Sequence, residues 1–389
     1  MKILEFRPNQ DNRKNVIIKM GIILFVILLI LLIALYIANQ NVRVFFDRYI
    51  FRKEILQDNT VSIQLNTEEN HSVYAYDKYI TVLNRNKLYC YTNSGNIACE
   101  LEVAINKPIY STNNRFLCVG EEKGKKIYLI SGENILWQKD VEGEISKVNV
   151  NKNGYVSVIL SGTSYKSIIV TFSPEGKELF KTYLSSTIAV NTDISNDNKY
   201  LAIAEINTSG TVIQSNVKII SMEKAASDPS NSVIFTYTGE SNQLLVNIKY
   251  QEKGNLVCLY DDSVHMIEQE ADSKLIDINE KATHYDINLR NNIVQVVEKS
   301  IGLFNTDTEV LITNIYNKTE NIYKLTSSAK EVYTYGDVIA INIGSEVHFV
   351  STNGWLLKKY VSSQEVNHIV LGDSIGGIIY SDKIEIVEL

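Results

Sequence analysis

Side chains that could bind a metal ion are few and widely spaced in this sequence of 389 residues. The five histidines are His71, His265, His284, His348 and His368. No His-x-x-x-His, His-Glu-x-x-His or Cys-x-x-Cys motif brings two ligands onto one element, so the sequence predicts no metal site. His265 and His348 each lie 11 residues after a turn-forming segment. This shared spacing predicts equivalent positions in a repeat, which indicates packing or a shared surface.

Catalytic residues are not singled out by the sequence. The 45 Asp and Glu residues are too scattered to indicate a catalytic pair. The pattern Gly-x-Ser-x-Gly occurs once, as GDSIG at residues 372–376, in a segment that predicts a turn between two strands and not the strand-to-helix turn that a nucleophilic Ser needs. We therefore predict no catalytic residue and expect that the protein is not an enzyme.

The four cysteines offer one candidate covalent link. If residues 94–95 form the two-residue turn of a hairpin, Cys90 and Cys99 occupy directly opposed positions. Such a pair either forms a disulfide, which needs an oxidising compartment, or remains as two thiols that pack as small apolar groups. Cys118 and Cys258 each follow a turn by four residues, and we expect both to be buried in second strands.

An apolar segment near the N-terminus predicts a membrane span. Residues 20–38 read MGIILFVILLILLIALYIA and carry no charge. Residues 16–38, with Lys19 reaching the interface, cross a hydrocarbon core of roughly 30 Å at about 1.5 Å per residue. A secretory signal peptide has a shorter apolar stretch and a small-x-small cleavage site, and Tyr36 is too large for that site. We predict an uncleaved signal anchor; the alternative is a buried helix of a soluble protein.

The flanking charges and the length of the C-terminal part indicate an orientation. Five basic residues lie in residues 1–19 and four in residues 43–53, a difference too small to decide by the positive-inside rule. A long C-terminal domain translocates largely regardless of its charge. We therefore expect residues 1–19 to be a short basic cytoplasmic tail. The predicted location is the cell membrane, single-pass, with the lipid bilayer around residues 16–38 and an extracytoplasmic C-terminal domain.

Residues 39–60 are predicted to form an interfacial or stalk segment. Aromatic and basic side chains alternate there, as in a helix that lies at a membrane surface; the alternative is a water-exposed stalk helix. The membrane-interface candidates are Phe45, Phe46, Arg48, Tyr49 and Arg52. Residues 1–54 carry 9 Lys and Arg against 4 Asp and Glu, a net charge of +5. Because the whole chain has a net charge of −7, the remaining residues carry −12. An acidic body of this kind argues against nucleic-acid binding.

Beyond residue 60 the sequence predicts short strands throughout. Apolar runs with a period of two are bounded by Asn, Asp, Ser and Gly, and no amphipathic helix stands out, which predicts an all-β fold. A four-strand cassette recurs, with its first turn near Asp77, Asn114, Gly154, Asp197, Gly254, Asn292, Asp337 and Asp373. Seven intervals over 296 residues average about 42, the period of a propeller blade. We predict an eight-bladed β-propeller over residues 61–389, with seven blades as the alternative.

A second turn of the cassette carries a family resemblance. Its glycines fall where a hairpin between the third and fourth strands needs a positive φ, at Gly95, Gly132, Gly176 and Gly354. The segments GENILW and GKELF resemble the turn and outer strand of the quinoprotein-like repeat, and the whole of residues 61–389 resembles a WD40-like propeller. The chain is similar to membrane-anchored propeller proteins of unknown function from Gram-positive bacteria, and more distantly to the propeller lipoprotein that assists outer-membrane protein assembly.

This resemblance implies the propeller fold without a cofactor. Quinone-dependent propeller enzymes use a stacking Trp at the ring axis and an acidic calcium cluster. Trp137 and Trp355 both fall in predicted outer strands, so we expect no cofactor.

The two ends of the domain predict how the ring closes. The last cassette stops one strand short, and residues 61–65, VSIQL, form an unassigned strand at the start. If VSIQL completes the last blade, no sheet edge stays open. We expect the insertions at residues 207–216, 223–232 and 299–308 to project from one face or rim and to carry specificity.

A rigid ring with many loops and no catalytic motif favours a protein-binding or scaffolding module with an envelope protein as its partner. The alternative is an envelope glycan-binding or glycan-cleaving propeller with an acidic site in its central channel. Three or more channel carboxylates with raised pKa values would favour that alternative. An axis lined by apolar and hydroxyl groups would oppose it.

Overall fold

The computed structural model describes residues 10–38, 46, 61–68, 70–162, 164–301, 305–362 and 364–389. Helix α1, Gln10–Ala38, contains the predicted apolar segment. Its Lys19–Tyr36 stretch has a mean hydropathy of 2.8 and no buried side chain, so it is long and apolar enough to cross a membrane. The helix belongs to the first of two structural units, Met1–Ile55, and all the strands belong to the second, Leu56–Leu389.

The second unit is an eight-bladed β-propeller, which confirms the prediction from turn spacing. Each blade is a four-stranded antiparallel sheet. Blades 1 to 4 contain β2 (His71–Tyr76), β3 (Tyr79–Asn84), β4 (Lys87–Tyr91) and β5 (Ile97–Glu102); β6 (Pro108–Asn113), β7 (Phe116–Glu121), β8 (Lys126–Ser131) and β9 (Asn134–Asp140); β10 (Glu144–Val150), β11 (Val156–Ser161), β12 (Ser167–Phe172) and β13 (Glu178–Leu184); and β14 (Thr187–Ile194), β15 (Tyr200–Asn207), β16 (Gln214–Ser221) and β17 (Val233–Ser241).

Blades 5 to 8 continue the same order. They contain β18 (Leu245–Tyr250), β19 (Leu256–Tyr260), β20 (Ser263–Glu268) and β21 (Ala271–Asp277); β22 (Ala282–Asp286), β23 (Asn292–Ile301), β24 (Asn305–Asn314) and β25 (Glu320–Leu325); β26 (Glu331–Tyr335), β27 (Val338–Asn342), β28 (Glu346–Ser351) and β29 (Leu356–Val361); and β30 (His368–Gly372), β31 (Ile375–Ile379) and β32 (Lys383–Glu388), with β1 (Val61–Gln64) as the fourth strand of blade 8. The first strand of each blade contacts the first strand of a neighbouring blade, so these eight inner strands surround the axis.

The hydrophobic core lies between the blades. Buried apolar side chains form eight clusters, one between each pair of neighbouring blades. Phe349 of blade 7 and Ile369 of blade 8, both fully buried, belong to one such cluster. Because each blade is covered on both faces by its neighbours, the middle strands consist of nearly continuous apolar runs. This repetition lets one domain exceed the usual size of a single core.

Strand β1 closes the ring, which confirms the interpretation of VSIQL. It pairs antiparallel with β32 from Val61 opposite Ile386 to Gln64 opposite Lys383. Ile63 is buried in the cluster between blades 8 and 1. The two ends of the domain therefore meet in one sheet, and β32 presents no open edge.

Strand direction defines two faces of the propeller. Turns from first to second strands and from third to fourth strands lie on one face, here called the funnel face. Turns from second to third strands and the connections between blades lie on the other, here called the base face. Val61, the first residue of β1, lies beside Gly95 in the third-to-fourth turn of blade 1. The chain therefore enters the propeller at the funnel face.

The three insertions lie on different faces, so the prediction of a shared face is wrong. Residues 207–216 and 299–308 belong to second-to-third connections of blades 4 and 6, on the base face, and the latter prolong the β23–β24 hairpin. Residues 223–232 belong to the third-to-fourth connection of blade 4, on the funnel face. Either end of a hairpin accommodates extra residues, and alternation alone does not tell which end carries them.

Part of the third insertion is helical, although the sequence pattern predicts strands and loops there. Helix α2, Met222–Ser227, is followed by a 3-10 turn at Pro229–Asn231. The Ser221 hydroxyl caps α2 by accepting a hydrogen bond from the backbone N–H of Lys224, and Met222 and Ala225 are buried. Six residues contain too few apolar positions for a helical period to be recognised.

The inner strands divide the propeller into two halves. In blades 3 to 6 the pairing of the inner strand with the second strand shifts register at a bulge, and five residues separate the two strands. In blades 7, 8, 1 and 2 the same pairing is uninterrupted and only two residues separate the strands. Blades 3 to 6 are called the bulged half and blades 7, 8, 1 and 2 the regular half.

Candidate functional site

A cavity lined by described residues lies at the propeller axis and opens on the funnel face. Its volume is about 630 Å³, and inner strands of blades 2 to 7, with their following turns, supply nearly all of its lining. Side-chain amides are the largest polar group of that lining, from Asn113, Asn114, Asn149, Asn191, Asn196, Asn247, Asn288 and Gln251. We call this cavity the funnel. Amides both donate and accept hydrogen bonds, so the funnel suits a polar ligand.

The bulges place polar residues at equivalent positions of the inner strands, and two of them, Asn191 and Asn247, line the funnel. Lys147, Asn191, Asn247 and His284 are each the first inner-strand residue after the register shift of their blade. The Asn191 amide donates to the Asn247 amide oxygen, which joins blades 4 and 5. Because a bulge adds one residue, the alternation of the strand changes side at that point, and a polar residue takes a position that would otherwise be apolar.

Lys147 is a charged residue at the position that follows the bulge of blade 3. Its ammonium donates to the carbonyl oxygen of Val190, the extra residue of the blade 4 bulge, at 3.4 Å. Burial lowers the pKa of Lys147. The extra residue of one bulge thus supplies a backbone acceptor to a half-buried cation of the neighbouring blade.

Two carboxylates of the bulged half, the buried Asp193 and the half-buried Asp286, join neighbouring blades. Asp193 accepts from the backbone N–H of Tyr250 at 2.7 Å and lies 3.9 Å from the Lys249 ammonium. Asp286 accepts from the Thr334 hydroxyl at 2.7 Å. Burial raises the pKa of both carboxyl groups. These bonds connect blade 4 to blade 5 and blade 6 to blade 7.

A third carboxylate lies on the opposite side of the funnel. Asp373, in the first turn of blade 8, accepts a hydrogen bond from the Tyr335 phenol, and burial raises its pKa. Three carboxylates with raised pKa values therefore line the funnel, which is the feature expected of the glycan alternative. Each is bonded to a neighbouring blade, and this pairing indicates a structural role for all three.

Tyrosines fill the axis on the side of the regular half. The rings of Tyr74 and Tyr110 lie 4.1 Å apart between centroids, and the Tyr110 phenol is hydrogen-bonded to that of Tyr333 from blade 7. Burial raises the pKa of Tyr333. Blades 2 and 7 are not neighbours, so this bond crosses the axis. Tyr74, Tyr110, Tyr333 and Tyr335 are called the aromatic plug, and the funnel is the space that they leave open.

Side-chain amides connect the first turns of the bulged half. Asn151 donates to the carbonyl of Ser195 at 3.2 Å, Asn196 to that of Gln251 at 3.1 Å, and Gln251 to that of Ile287 at 3.0 Å. Each bond joins one blade to the next. The rim of the funnel is therefore held by side chains.

Backbone groups make the corresponding bonds in the regular half. The Asp77 N–H donates to the Asn114 carbonyl at 3.0 Å, and the Asp373 N–H donates to the Asp77 carbonyl at 2.6 Å. The tight turns bring neighbouring backbones close enough that no side chain has to span the gap.

The predicted histidines are dispersed over five blades. His265 and His348 occupy equivalent third-strand positions and are both buried; each bonds a carboxylate, of Asp272 at 2.8 Å and of Glu346 at 2.9 Å. His368 pairs with Glu331, while His71 and His284 bond other groups. Within the described residues no three His, Cys, Asp or Glu side chains are grouped so as to hold a metal ion.

The cysteine pair and the turn glycines have defined geometries. Cys90 and Cys99 are paired across β4 and β5 with Cα atoms 5.0 Å apart, and their sulfurs are bonded. Cys118 and Cys258 are buried in second strands. The hairpin glycines all have positive φ: Gly95, Gly132, Gly176 and Gly354.

Of the membrane-interface candidates, only Phe46 belongs to the described residues. It is half-buried, and its ring lies 6.1 Å from that of Tyr36 at an angle of 86°. Phe45, Arg48, Tyr49 and Arg52 lie outside the described residues.

The funnel residues can be recognised in the sequence by a pattern of alternate polar residues, which is not a catalytic or metal-binding motif. Polar residues interrupt the inner strands at alternate positions, as in VNTDI (190–194) and VNIKY (246–250). A polar residue two positions from another in an otherwise buried strand indicates a face that is not in the core. Which face that is depends on the bulge, which the sequence pattern does not locate.

Solved structures similar to this chain are β-propellers. The C-terminal WD40 domain of Sif2 aligns over 85% of this chain and 99% of that one, with 10% identity and a TM-score of 0.57. Sqt1 from Chaetomium thermophilum aligns over 85% and 100%, with 10% identity and a TM-score of 0.54. BamB from Moraxella catarrhalis aligns over 85% and 97%, with 10% identity and a TM-score of 0.50. At these identities the likeness establishes the fold alone.

No curated protein matches the chain in sequence. A family model does match, and it spans residues 53–389, which contain every propeller strand. The chain therefore belongs to the family described as a family of unknown function, DUF5711.

Proposed function

We propose that the protein is a membrane-anchored, extracytoplasmic binding module of the cell envelope whose funnel holds a segment of a protein partner. The observation that carries this proposal is the funnel itself, a cavity of about 630 Å³ lined by amides from successive blades. Amide side chains match the alternating N–H and C=O groups of a peptide backbone. WD40 domains and BamB, which share the fold, are protein-interaction modules.

The rim of the funnel supports a preformed binding site. Arg290 of blade 6 pairs with Glu252 of blade 5 at 3.3 Å and with Asp337 of blade 7 at 3.1 Å. Together with the amide bonds between turns, these pairs fix the mouth in one arrangement. A rigid mouth reduces the conformational entropy lost on binding.

Site-specific crosslinking in intact cells tests this proposal. A photoreactive amino acid replaces Lys152 or Asn196 at the funnel mouth, and Lys126, exposed at the base face of blade 2, serves as the control position. We expect a discrete protein adduct from both mouth positions and none from the control. Identical adducts from all three positions, or none at the mouth, would contradict a partner in the funnel.

The membrane anchor is part of the same proposal. Residues 1–19 form the cytoplasmic tail, residues 16–38 span the bilayer, residues 39–60 connect at its surface through the interface candidates, and residues 61–389 form the propeller. The apolar stretch Lys19–Tyr36 supports the span. The arrangement corresponds to envelope proteins of the Gram-positive type. Protease treatment of intact cells should digest the propeller; its survival would place it inside.

The bonded pair Cys90–Cys99 offers a second test of location. Disulfides persist in oxidising compartments and are rare in the cytosol. We expect mass spectrometry of protein alkylated in intact cells to recover the peptides of Cys90 and Cys99 linked together. Recovery of both as alkylated thiols without prior reduction would contradict an extracytoplasmic location.

The second candidate function is binding or cleavage of an envelope glycan. It is favoured by the raised pKa values of Asp193, Asp286 and Asp373 in the funnel, since glycan cleavage needs a protonated carboxyl group. Retention of the purified protein on isolated cell-wall glycan, with no protein adduct in cells, would support it. Loss of that retention in Lys152→Glu but not in Lys126→Glu would place the glycan in the funnel.

A further inference from the structure

Six of the twelve exposed large apolar side chains of the described propeller residues lie on the base face of blades 3 to 5. Their exposed fractions lie between 37% and 51%. They are Tyr165, Tyr183, Ile188, Ile213, Leu244 and Val246, here called the base patch. Soluble domains rarely leave such side chains grouped without a partner. The base patch lies on the face opposite the funnel mouth.

Contacts within and between the connections place the base patch residues on neighbouring parts of one face. Within blade 3, the rings of Tyr165 and Tyr183 lie 4.8 Å apart between centroids. Between blades 3 and 4, the Lys166 ammonium donates to the Ser209 hydroxyl at 3.1 Å. At the junction with blade 5, the Asn242 N–H donates to the Ile213 carbonyl at 3.1 Å. These bonds join the base-face connections of blades 3 and 4 and the connection that leads to blade 5.

Acidic side chains frame the base patch. The connections around it, residues 141–144, 161–166, 185–187, 207–214, 239–245 and 261–263, contain five carboxylates and one basic residue, Lys166. The carboxylates are Glu142, Glu144, Glu240, Asp261 and Asp262. Glu142 is paired with Lys181 of β13, and Lys274 of β21 interacts with Asp262 and Glu240. Five carboxylates against Lys166, Lys181 and Lys274 leave a net charge of −2, so the surface keeps a negative field. This field favours a cationic partner.

The negative charge around the base patch favours one kind of binding partner over the others. A second copy that docked the same surface would bring two acidic frames together, and an anionic lipid surface would be repelled in the same way. An apolar and basic protein segment satisfies both the patch and its frame. We propose that the base patch docks an amphipathic basic segment of a partner protein, with apolar side chains on the patch and Lys or Arg against the acidic frame.

The proposal is tested with the full-length protein in nanodiscs of zwitterionic lipid. The probe is a labelled synthetic 18-residue amphipathic helix of Leu and Lys, and a matched helix of Leu and Glu is the reference peptide. We expect the Lys peptide to bind and the Glu peptide to bind at least tenfold more weakly. Equal binding of the two peptides would overturn the proposal.

Two variants locate the probe on the patch. Tyr183→Ser with Ile188→Ser should weaken binding of the Lys peptide about tenfold, since central apolar contacts dominate such interfaces. Glu144→Gln with Glu240→Gln should weaken it about threefold at low salt, a difference that disappears at about 0.5 M salt because of screening. Ile97→Ser, which removes a more exposed apolar side chain outside the patch, is the control and should change binding less than about twofold.

The other occupants give distinct results. If wild-type protein self-associates in sedimentation and the Tyr183 and Ile188 variant does not, the occupant is a second copy and the proposal fails. If the wild-type protein captures phosphatidylglycerol vesicles and that variant does not, the occupant is lipid and the proposal fails. Unchanged peptide binding in both the apolar and the charge variants would also overturn it.

Discussion

The two halves of the propeller connect neighbouring blades around the axis in different ways. Regular pairing and two-residue turns bring neighbouring backbones together in blades 7, 8, 1 and 2, and the aromatic plug fills the axis there. Bulged inner strands and five-residue turns separate the backbones in blades 3 to 6, where side-chain amides and carboxylates make the connections. One half closes the axis, and the other leaves a polar cavity.

This difference teaches that a bulge in the inner strand, with a longer first turn, can open a polar cavity at the axis of a repeated fold. The bulge leaves the second and third strands of each blade unchanged, so the core between the blades is preserved. Only the inner strand and its turn acquire polar residues. The base patch belongs to the same half, so both proposed binding surfaces lie on the blades that depart from regularity.

The largest expected effect tests whether the aromatic plug stabilises the fold. Tyr74→Ala should cost about 3–5 kcal/mol of unfolding free energy, because Tyr74 is 2% exposed and its removal leaves a cavity against Tyr110. Asn247→Ala in the bulged half should cost about 1 kcal/mol, since it loses hydrogen bonds in a wetter site. Chemical denaturation measures both. Tyr74→Phe, which retains the ring, is the control, and equal costs in the two halves would remove the distinction.

The next effect concerns the bonds between first turns. Gln251→Ala should cost about 2 kcal/mol, because Gln251 donates to the Ile287 carbonyl and accepts from the Asn291 N–H, and both partners would lose their bond. Asp77→Asn should change stability by less than about 0.5 kcal/mol, because backbone atoms make the equivalent bonds of the regular half. Thermal unfolding compares the two variants. A larger loss of stability for Asp77→Asn than for Gln251→Ala would contradict the view that backbone groups connect the first turns of the regular half.

Lowering the pH should change the stability contributions of Asp286 in the bulged half and Glu346 in the regular half in opposite directions. Burial raises the folded pKa of Asp286, so the folded state binds a proton more tightly than the unfolded chain, and stability from this group rises as pH falls through that raised pKa. A hydrogen bond from His348 lowers the folded pKa of Glu346, so its contribution is present above the ordinary value and is lost as pH falls below it.

Two variants separate these contributions. Asp286→Asn should lose stability relative to wild type as pH falls from 7 to 4, and Glu346→Gln should gain. Each variant's unfolding free energy relative to wild type should change by no more than about 1 kcal/mol, since Glu346 is partly solvent-exposed. Melting temperatures measured across this pH range check the signs. Parallel curves for both variants would show that neither group titrates differently in the folded state.

The smallest effect concerns the turns themselves. Gly254 of the bulged half has φ +83° with open space around it, so Gly254→Ala should cost about 1 kcal/mol from backbone strain alone. Ser374 of the regular half already has φ +59° with a side chain present. Ser374→Gly should change stability by no more than about 0.5 kcal/mol, because relief of strain and the added freedom of the unfolded chain oppose each other. A cost at Ser374 above that at Gly254 would contradict this account.

The fold could be predicted from the sequence because its signals are local and repeated. Turn residues such as Asp77 and Gly254 recur at the blade period, and the unassigned strand VSIQL identifies the closure. Helix α2 escapes prediction because Met222 and Ala225 are its only buried residues. The faces of the insertions escape it because alternation does not distinguish the two ends of a hairpin.

The site could be predicted only in outline. The polar interruptions at Asn191 and Asp193 are visible in the sequence, yet the bulge before Asn191 reverses which side of the strand faces the axis. The bond between Tyr110 and Tyr333 joins residues of blades that meet only after the ring closes. Contacts of this kind depend on the closed geometry, which no local pattern contains.

The closing strand imposes an order on the biogenesis of the protein. Val61 emerges from the ribosome long before its partner Ile386, so β1 waits unpaired while seven blades and most of the eighth are synthesised. Contacts of such high sequence separation form late and slowly. If the propeller is exported as we propose, the final sheet can form only on the far side of the membrane. Any force on the anchor would then act first on the last contacts to form.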